Sequence, residues 1–185
     1  MSITVALICH DDPLTLWRKL WEISAWSRQP NELLILHNGI VLQSDVSTDI
    51  PITWIHCEDR KDKGYEKRAI ALDRATGDYI LWVNYDDSHD FHILEKLEPR
   101  SEDVVVHCCT TGKYGKKLGS EFRRYSSGAE NFLVRVDYAR GKGGYWSAIA
   151  QTDRNDPQAD KWLIDALAAG TNKVRFVDET LVVQL

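Results

Sequence analysis

No stretch of this 185-residue chain approaches the roughly 18 uninterrupted apolar residues of a membrane helix. The N-terminus also lacks a basic region followed by a long apolar run, the mark of a secretory leader. Both absences predict a cytoplasmic protein without a transmembrane segment. Cysteine is sparse: Cys9, Cys57, Cys108 and Cys109 lie in or beside apolar, strand-like runs, and no pair has the spacing of a zinc ribbon or redox motif. They read as buried thiols in a reducing compartment. Positive charge is not in excess, because Lys and Arg number 23 against 28 Asp and Glu, a net charge of −5. That balance argues against a general nucleic-acid-binding surface. Internal repeats and low-complexity segments are absent too, and 43% hydrophobic residues against 28% charged excludes the profile of disorder.

What is present fits one domain with a substantial core. Residues 2–10, SITVALICH, form a nearly continuous apolar run of strand length, as a strand buried on both faces of a parallel sheet requires. Asp12 then caps a helix opened by Pro13, in which Leu14, Trp17, Leu20, Trp21 and Ala25 recur at helical spacing and predict the core-facing stripe. ELLILHNG, residues 32–39, repeats the strand pattern and ends in turn residues; ITWIHC, residues 52–57, is a third strand, with a polar loop between. Lys63 and Gly64 precede a helix carrying Ile70, Ala71 and Ala75 that stops at Gly77, ahead of the strand YILWVN. A helix near 90–98 and a strand at 103–109 follow. The Gly-, Lys- and Ser-rich stretch to 128 is too long for a simple connection and reads as an active-site flap. Its Lys113, Lys116, Lys117, Arg123 and Arg124 suit either a solvated loop or contact with phosphate or acceptor. A strand at 131–136, a helix at 159–170 with a glycine stop, and terminal strands complete the chain. Alternating strands and helices of this kind predict an α/β fold with a mostly parallel, doubly wound sheet sandwiched by helices.

In open parallel sheets, ligands bind beyond the carboxyl ends of the strands, where adjacent loops diverge. His10 with Asp11, His37 with Asn38, and Asp86 with Asp87 fall at such ends. Carboxylate oxygens are hard ligands suited to Mg²⁺ or Mn²⁺, and an adjacent pair leaves positions open for phosphate oxygens. The same pair also suits a strand end followed by the cap of the helix near Asp90.

Residues 64–87, GYEKRAIALDRATGDYILWVNYDD, resemble the core signature of family 2 glycosyltransferases of the GT-A, Rossmann-like fold. In that signature an Arg-Asn pair precedes a small-residue helix, an Ala-x-Gly-Asp-Tyr-Ile segment, a hydrophobic strand and an Asp-rich metal motif. Arg68, Ala75, Gly77, Asp78, Tyr79, Ile80, Asp86 and Asp87 match in register, while Ala69 stands at the family's Asn and Asn84 at the first Asp of its Asp-x-Asp-Asp. Downstream, NFLVRVDYARGKGGYW, residues 131–146, is similar to the segment lining the acceptor side. Asp160, ten residues before Gly170, is similar to the Asp of the family's Glu-Asp helix, with Ala159 at its Glu.

The resemblance implies a pared-down, metal-dependent glycosyltransferase moving a hexose from a nucleotide-diphosphate sugar, UDP-sugar favoured, to a hydroxyl of a saccharide or other acceptor with inversion. Residues 1–100 would then form the nucleotide-sugar half and 101–185 the acceptor half of a single domain. His10, Asp11, His37, Asn38, Arg68 and Asp86 would bind the nucleotide sugar. Asp87 and Asp86 would hold Mn²⁺ or Mg²⁺. Asp160 would take the acceptor proton as oxygen attacks the anomeric carbon. Gly143, Gly144, Tyr145 and Trp146 would line the acceptor. His89 and His92 are expected on an exposed helix start rather than in the metal set. Two other classes compete: a nucleotidyltransferase, which needs a Gly-rich basic loop that HDDPLTLW lacks, and a non-catalytic nucleotide-sugar-binding module.

Overall fold

A computed structural model of the chain describes residues 1–10, 12–39, 48–58, 64–111, 117–118, 131–141, 167 and 170–184. The first apolar run becomes strand β1 (Ile3–Ile8), buried at every position. It lies between β2 (Glu32–His37) and β4 (Tyr79–Asn84), parallel to both, and β3 (Ile52–His56) extends the parallel set beyond β2. Helices on both faces explain the unbroken hydrophobicity. Ile3, Val5 and Leu7 of β1 join one core cluster with Leu16, Leu20 and Ile23 of helix α1 (Pro13–Ala25) and with Ile93 and Leu94 of α3 (Ile93–Lys96). Ala6 and Ile8 point the other way, into a second cluster with Ala69, Ala71 and Leu72 of α2 (Tyr65–Arg74) and with Val136 and Ala139 of α4 (Val136–Gly141). The fold is thus a mixed α/β single domain of the Rossmann-like kind.

The other half of the sheet is mixed. β8 (Phe132–Arg135) runs antiparallel to β4 and to β6 (Val104–Thr111), and β6 pairs in parallel with the long β9 (Val174–Gln184). The short strands β5 (Ser88–His89) and β7 (Lys117–Leu118) pair antiparallel with β9 and β6. Among the described residues the order is β3-β2-β1-β4-β8-β6-β9-β5. The terminal segment is therefore one strand of 11 residues, not several. The helix expected near 90–98 shrinks to α3, preceded by β5, which pairs with β9, and by the Asp90 N–H bonded to Leu181 O of β9. His89, expected on an exposed helix start, instead lies in the two-residue strand β5 with its side chain buried. Among the described residues no helix is long and apolar enough to cross a membrane.

Asp12 caps α1 as the sequence predicts: its Oδ1 accepts the N–H groups of Leu14 at 3.1 Å and Thr15 at 3.2 Å. The buried face of that helix differs from the expected stripe. Leu16, Lys19, Leu20 and Ile23 face the core, whereas Leu14 is 81% and Trp21 71% exposed. Lys19 lies on that buried face, where its ammonium is met by the Asp87 carbonyl and the Glu22 carboxylate.

Helix α2 ends at Arg74, before the expected stop at Gly77. Its last carbonyls, which have no partner within the helix, are met from α4: Arg140 donates to Leu72 O at 2.7 Å, to Asp73 O at 3.1 Å and to Ala75 O at 2.8 Å. Gly77 serves packing instead. A Cβ there would sit 2.8 Å from the backbone N and the Oγ1 of Thr4, and its N–H donates to Thr4 Oγ1 at 3.0 Å. Because the obstruction is the backbone of β1, Gly77→Ala is expected to destabilise the fold by about 1–3 kcal/mol. In a thermal melt this reads as a fall of several degrees, and an unchanged midpoint would show that the junction gives way freely.

Candidate functional site

The carboxyl ends of β2, β1 and β4 lie side by side because these strands are parallel and adjacent; Ile8 of β1 stands opposite Leu36 of β2 and Asn84 of β4. Main-chain bonds continue past the strands. Cys9 N–H donates to Leu36 O at 2.9 Å, and Tyr85 N–H donates to Ile8 O at 3.2 Å. His10 is thereby brought against Tyr85, ring centroids 5.9 Å apart and edge-on. His37 is buried, edge-on to Trp54 at 5.9 Å and to His56 at 5.6 Å, while Asn38 beside it is half-buried. Lys67 of α2, itself buried, donates to Cys9 O and to Asn38 Oδ1 and so ties these two strand ends together. Burial pushes the Cys9 thiol up to about 12, which makes it a packing group rather than a nucleophile.

Gly64 opens α2 in the left-handed region at φ 80°, where a side chain would be strained and a Cβ would meet Ile8 Cγ2 at 2.8 Å. This close approach sets α2 over the end of β1 and places Arg68 beside the end of β4. Arg68 Nη2 donates to Asn84 Oδ1 at 2.8 Å, and its guanidinium carbon lies 5.5 Å from the centre of the Tyr65 ring. Asn84 Nδ2 then donates to Asp87 Oδ2 at 3.0 Å. An aspartate at 84 would have only acceptors to offer Asp87 and would add a third negative charge. The residue that departs from the Asp-x-Asp-Asp pattern thus relays Arg68 to Asp87, and neighbouring Ala69 is fully buried against the sheet.

The two adjacent acids occupy unlike environments. Asp86 is exposed; Asp87 is 6% exposed. Burial pushes the Asp87 carboxyl up to about 6; the Asn84 hydrogen bond and the charges of Lys19 and Arg68 counter this only in part, and Asp86 adds to it. From beneath, Lys19 of α1 donates to the Asp87 main-chain carbonyl and to Glu22, and it lies 3.1 Å from His89 Nδ1. Burial holds Lys19 and His89 below their usual ranges. Burial pushes Glu22 up, but hydrogen bonds from His89 and Lys19 outweigh it and keep the carboxyl low.

Asp86 and Asp87 carry the carboxylate oxygens that a hard divalent cation takes as ligands. Among the described residues no group of three or more His, Cys, Asp and Glu is placed to hold a metal ion. Mg²⁺-type ions do not need one, since one or two carboxylates with phosphate oxygens and water suffice. The charge that Asp87 holds at a cost is what such an ion would compensate. Asp11, Gly143, Gly144, Tyr145, Trp146 and Asp160 lie outside the described residues, as does most of the basic flap stretch. The structure also brings Lys19, Glu22 and Lys67 to this edge, which the sequence reading did not name, and it gives Asn84, read there as a departure from the acidic motif, bonds to both Arg68 and Asp87. A lysine at helical spacing between Leu16, Leu20 and Ile23 was the signal for the first of them.

The α/β, Rossmann-like fold that carries this geometry is shared with solved structures of low sequence identity. Among solved structures, Staphylococcus aureus TarS superimposes on 99% of the chain with a TM-score of 0.75 at 12% identity. TarS 1–349 in complex with UDP aligns with a TM-score of 0.74, and its complex with UDP-GlcNAc with 0.72, each at 12% identity and over 99% of the chain. The chain spans 36% of the TarS chain and 58–60% of TarS 1–349. No family model matches the sequence, and no curated protein matches it.

Proposed function

We propose that the chain is a metal-dependent glycosyltransferase, similar to family 2, that moves a hexose from a UDP-sugar to a hydroxyl acceptor with inversion. The observation that carries this reading is the Arg68–Asn84–Asp87 relay at the end of β4, flanked by the ends of β1 and β2. It is supported by the likeness of the fold to TarS 1–349, a protein crystallised with UDP and with UDP-GlcNAc.

In this reading residues 1–100 take the donor and 101–185 the acceptor. His10, Asp11, His37 and Asn38 surround the base and ribose, with Lys67 fixing the Asn38 amide. Arg68 offers a forked donor to the diphosphate. Asp87, with Asp86 also near the ribose, would hold Mn²⁺ or Mg²⁺. That ion, when bound, supplies positive charge against the charge developing on the leaving diphosphate. Asp160 removes the acceptor proton, and Gly143, Gly144, Tyr145 and Trp146 seat the acceptor. Asn84 in place of an acid favours one second reading, a module that binds the nucleotide sugar without turning it over.

The test is a screen of nucleotide sugars with and without Mn²⁺, read by thermal melting and by donor hydrolysis. UDP and UDP-sugars at about 100 times their Kd with Mn²⁺ are expected to raise the midpoint by roughly 5–10 °C, and by less at the same concentration without it. No stabilisation by any nucleotide rejects the donor site; stabilisation without hydrolysis or transfer selects the binding module.

A further inference from the structure

Lys19 stands where a helix that faces the core should carry a hydrophobe. Its side chain is 0% exposed, between Leu16, Leu20 and Ile23 on the buried face of α1. An ammonium has three donors and no acceptor. Here they meet the main-chain carbonyl of Asp87 and the Glu22 carboxylate at 2.8 and 2.9 Å, and His89 Nδ1 lies 3.1 Å away. Glu22 Oε1 in turn accepts the main-chain N–H of His89 at 2.9 Å. Two side chains of one helix therefore grip the segment after the acid pair at both ends, at the Asp87 carbonyl and at the His89 amide.

A buried ion pair is a poor way to stabilise a core, since apolar residues of similar volume often serve as well or better. What Lys19 adds, and a methionine would not, is a fixed direction for the Asp87 carbonyl. The main chain at Asp87 also carries the buried carboxylate and follows directly on Asp86. Elsewhere the turn is tied by the Tyr85 N–H to β1, by Asn84 Nδ2 to the Asp87 carboxylate, and by the two-residue pairing of β5 with β9, none of which sets the direction of the Asp87 carbonyl.

The geometry points to Lys19, with Glu22, as positioning residues that hold the Asp86–Asp87 turn in the one orientation that offers both carboxylates to the diphosphate end of the donor and its cation. This rests on the donor-site reading given above. Neither residue touches the donor; both act through the backbone of the turn.

The test compares the parent with Lys19→Met/Glu22→Gln, in which glutamine keeps an acceptor for the His89 N–H while the charge pair and the grip on the Asp87 carbonyl are lost. The melting temperature is expected to stay within about 5 °C. Amide exchange in the peptide spanning residues 84–90 is expected to accelerate by about tenfold or more while β1 and β2 keep their protection. In calorimetry, the Mn²⁺-dependent part of UDP affinity is expected to fall about tenfold or more, the cost of losing a residue that orients ligands, with metal-free affinity unchanged. Glu22→Gln alone shows the same changes at smaller size and serves if the double variant does not fold. Unaltered exchange at 84–90, or faster exchange spread over the whole sheet with a lowered melting temperature, overturns the inference and leaves Lys19 a structural residue. A parent that binds no UDP overturns the donor site and the ligand half of the inference, while the exchange comparison still decides whether Lys19 holds the turn.

Discussion

Asp87→Asn yields a protein that is more stable than the parent above pH 6 and has lost Mn²⁺-dependent donor hydrolysis. Burial raises the Asp87 pKa from 3.8 to about 6, so the folded state holds this proton more tightly than the unfolded chain does. The stability that comes with the protonated carboxyl is therefore full below about pH 4 and is lost as pH rises to about 6, a change of about 3 kcal/mol. Asparagine carries no charge to desolvate and keeps an oxygen for the Asn84 Nδ2–H donor, so it escapes that loss. The difference in unfolding free energy between variant and parent should thus grow by about 3 kcal/mol from pH 4 to pH 8, in favour of the variant. Urea titrations at several pH values measure it. Hydrolysis of the donor should fall by roughly 100-fold or more, because a neutral amide is a weak partner for a hard cation. A flat stability difference would mean that the Asp87 charge is not held at a cost; retained hydrolysis would remove the acid pair from the chemistry.

Arg68→Lys weakens UDP binding by about 10–100-fold, the loss expected when charge-assisted bonds worth about 1.5–3 kcal/mol are given up. Lysine keeps the charge and most of the stem, so the sheet and α2 remain in place. What it cannot keep is the fork. The guanidinium donates to Asn84 Oδ1 while its other N–H groups stay directed by the same rigid plane, whereas an ammonium at the end of a flexible chain satisfies Asn84 or the diphosphate but orients neither. Titration calorimetry with UDP and Mn²⁺ reads the effect. An unchanged Kd would place the diphosphate away from α2.

The parallel half of the sheet was legible in local pattern. SITVALICH, ELLILHNG and YILWVN are unbroken apolar runs, and only a strand covered on both faces calls for that. Their ends were legible as well, since polar residues stop each run at the same edge. The insertion of β8 between β4 and β6 was not, because antiparallel pairing over so long a separation leaves no periodicity of its own. Nor was the exposed side of α1: Leu14, Trp17 and Trp21 recur at helical spacing, yet the face with Lys19 is the one that turns inward. Only Leu20 of the expected stripe is buried, beside a lysine that the apolar pattern passes over.

The sequence by itself determined that strands and helices alternate, that the first strands lie parallel, and that Asp86 and Asp87 close the strand Tyr79–Asn84, since each follows from spacing within one short segment. Only the tertiary structure decided which acid is buried, that Asn84 joins Arg68 to Asp87, and that Lys19 donates to the Asp87 carbonyl. The physical reason is distance along the chain. Lys19 meets a carbonyl 68 residues away, and a bond of that span is written in no local period but in the way one helix packs against the edge of a sheet.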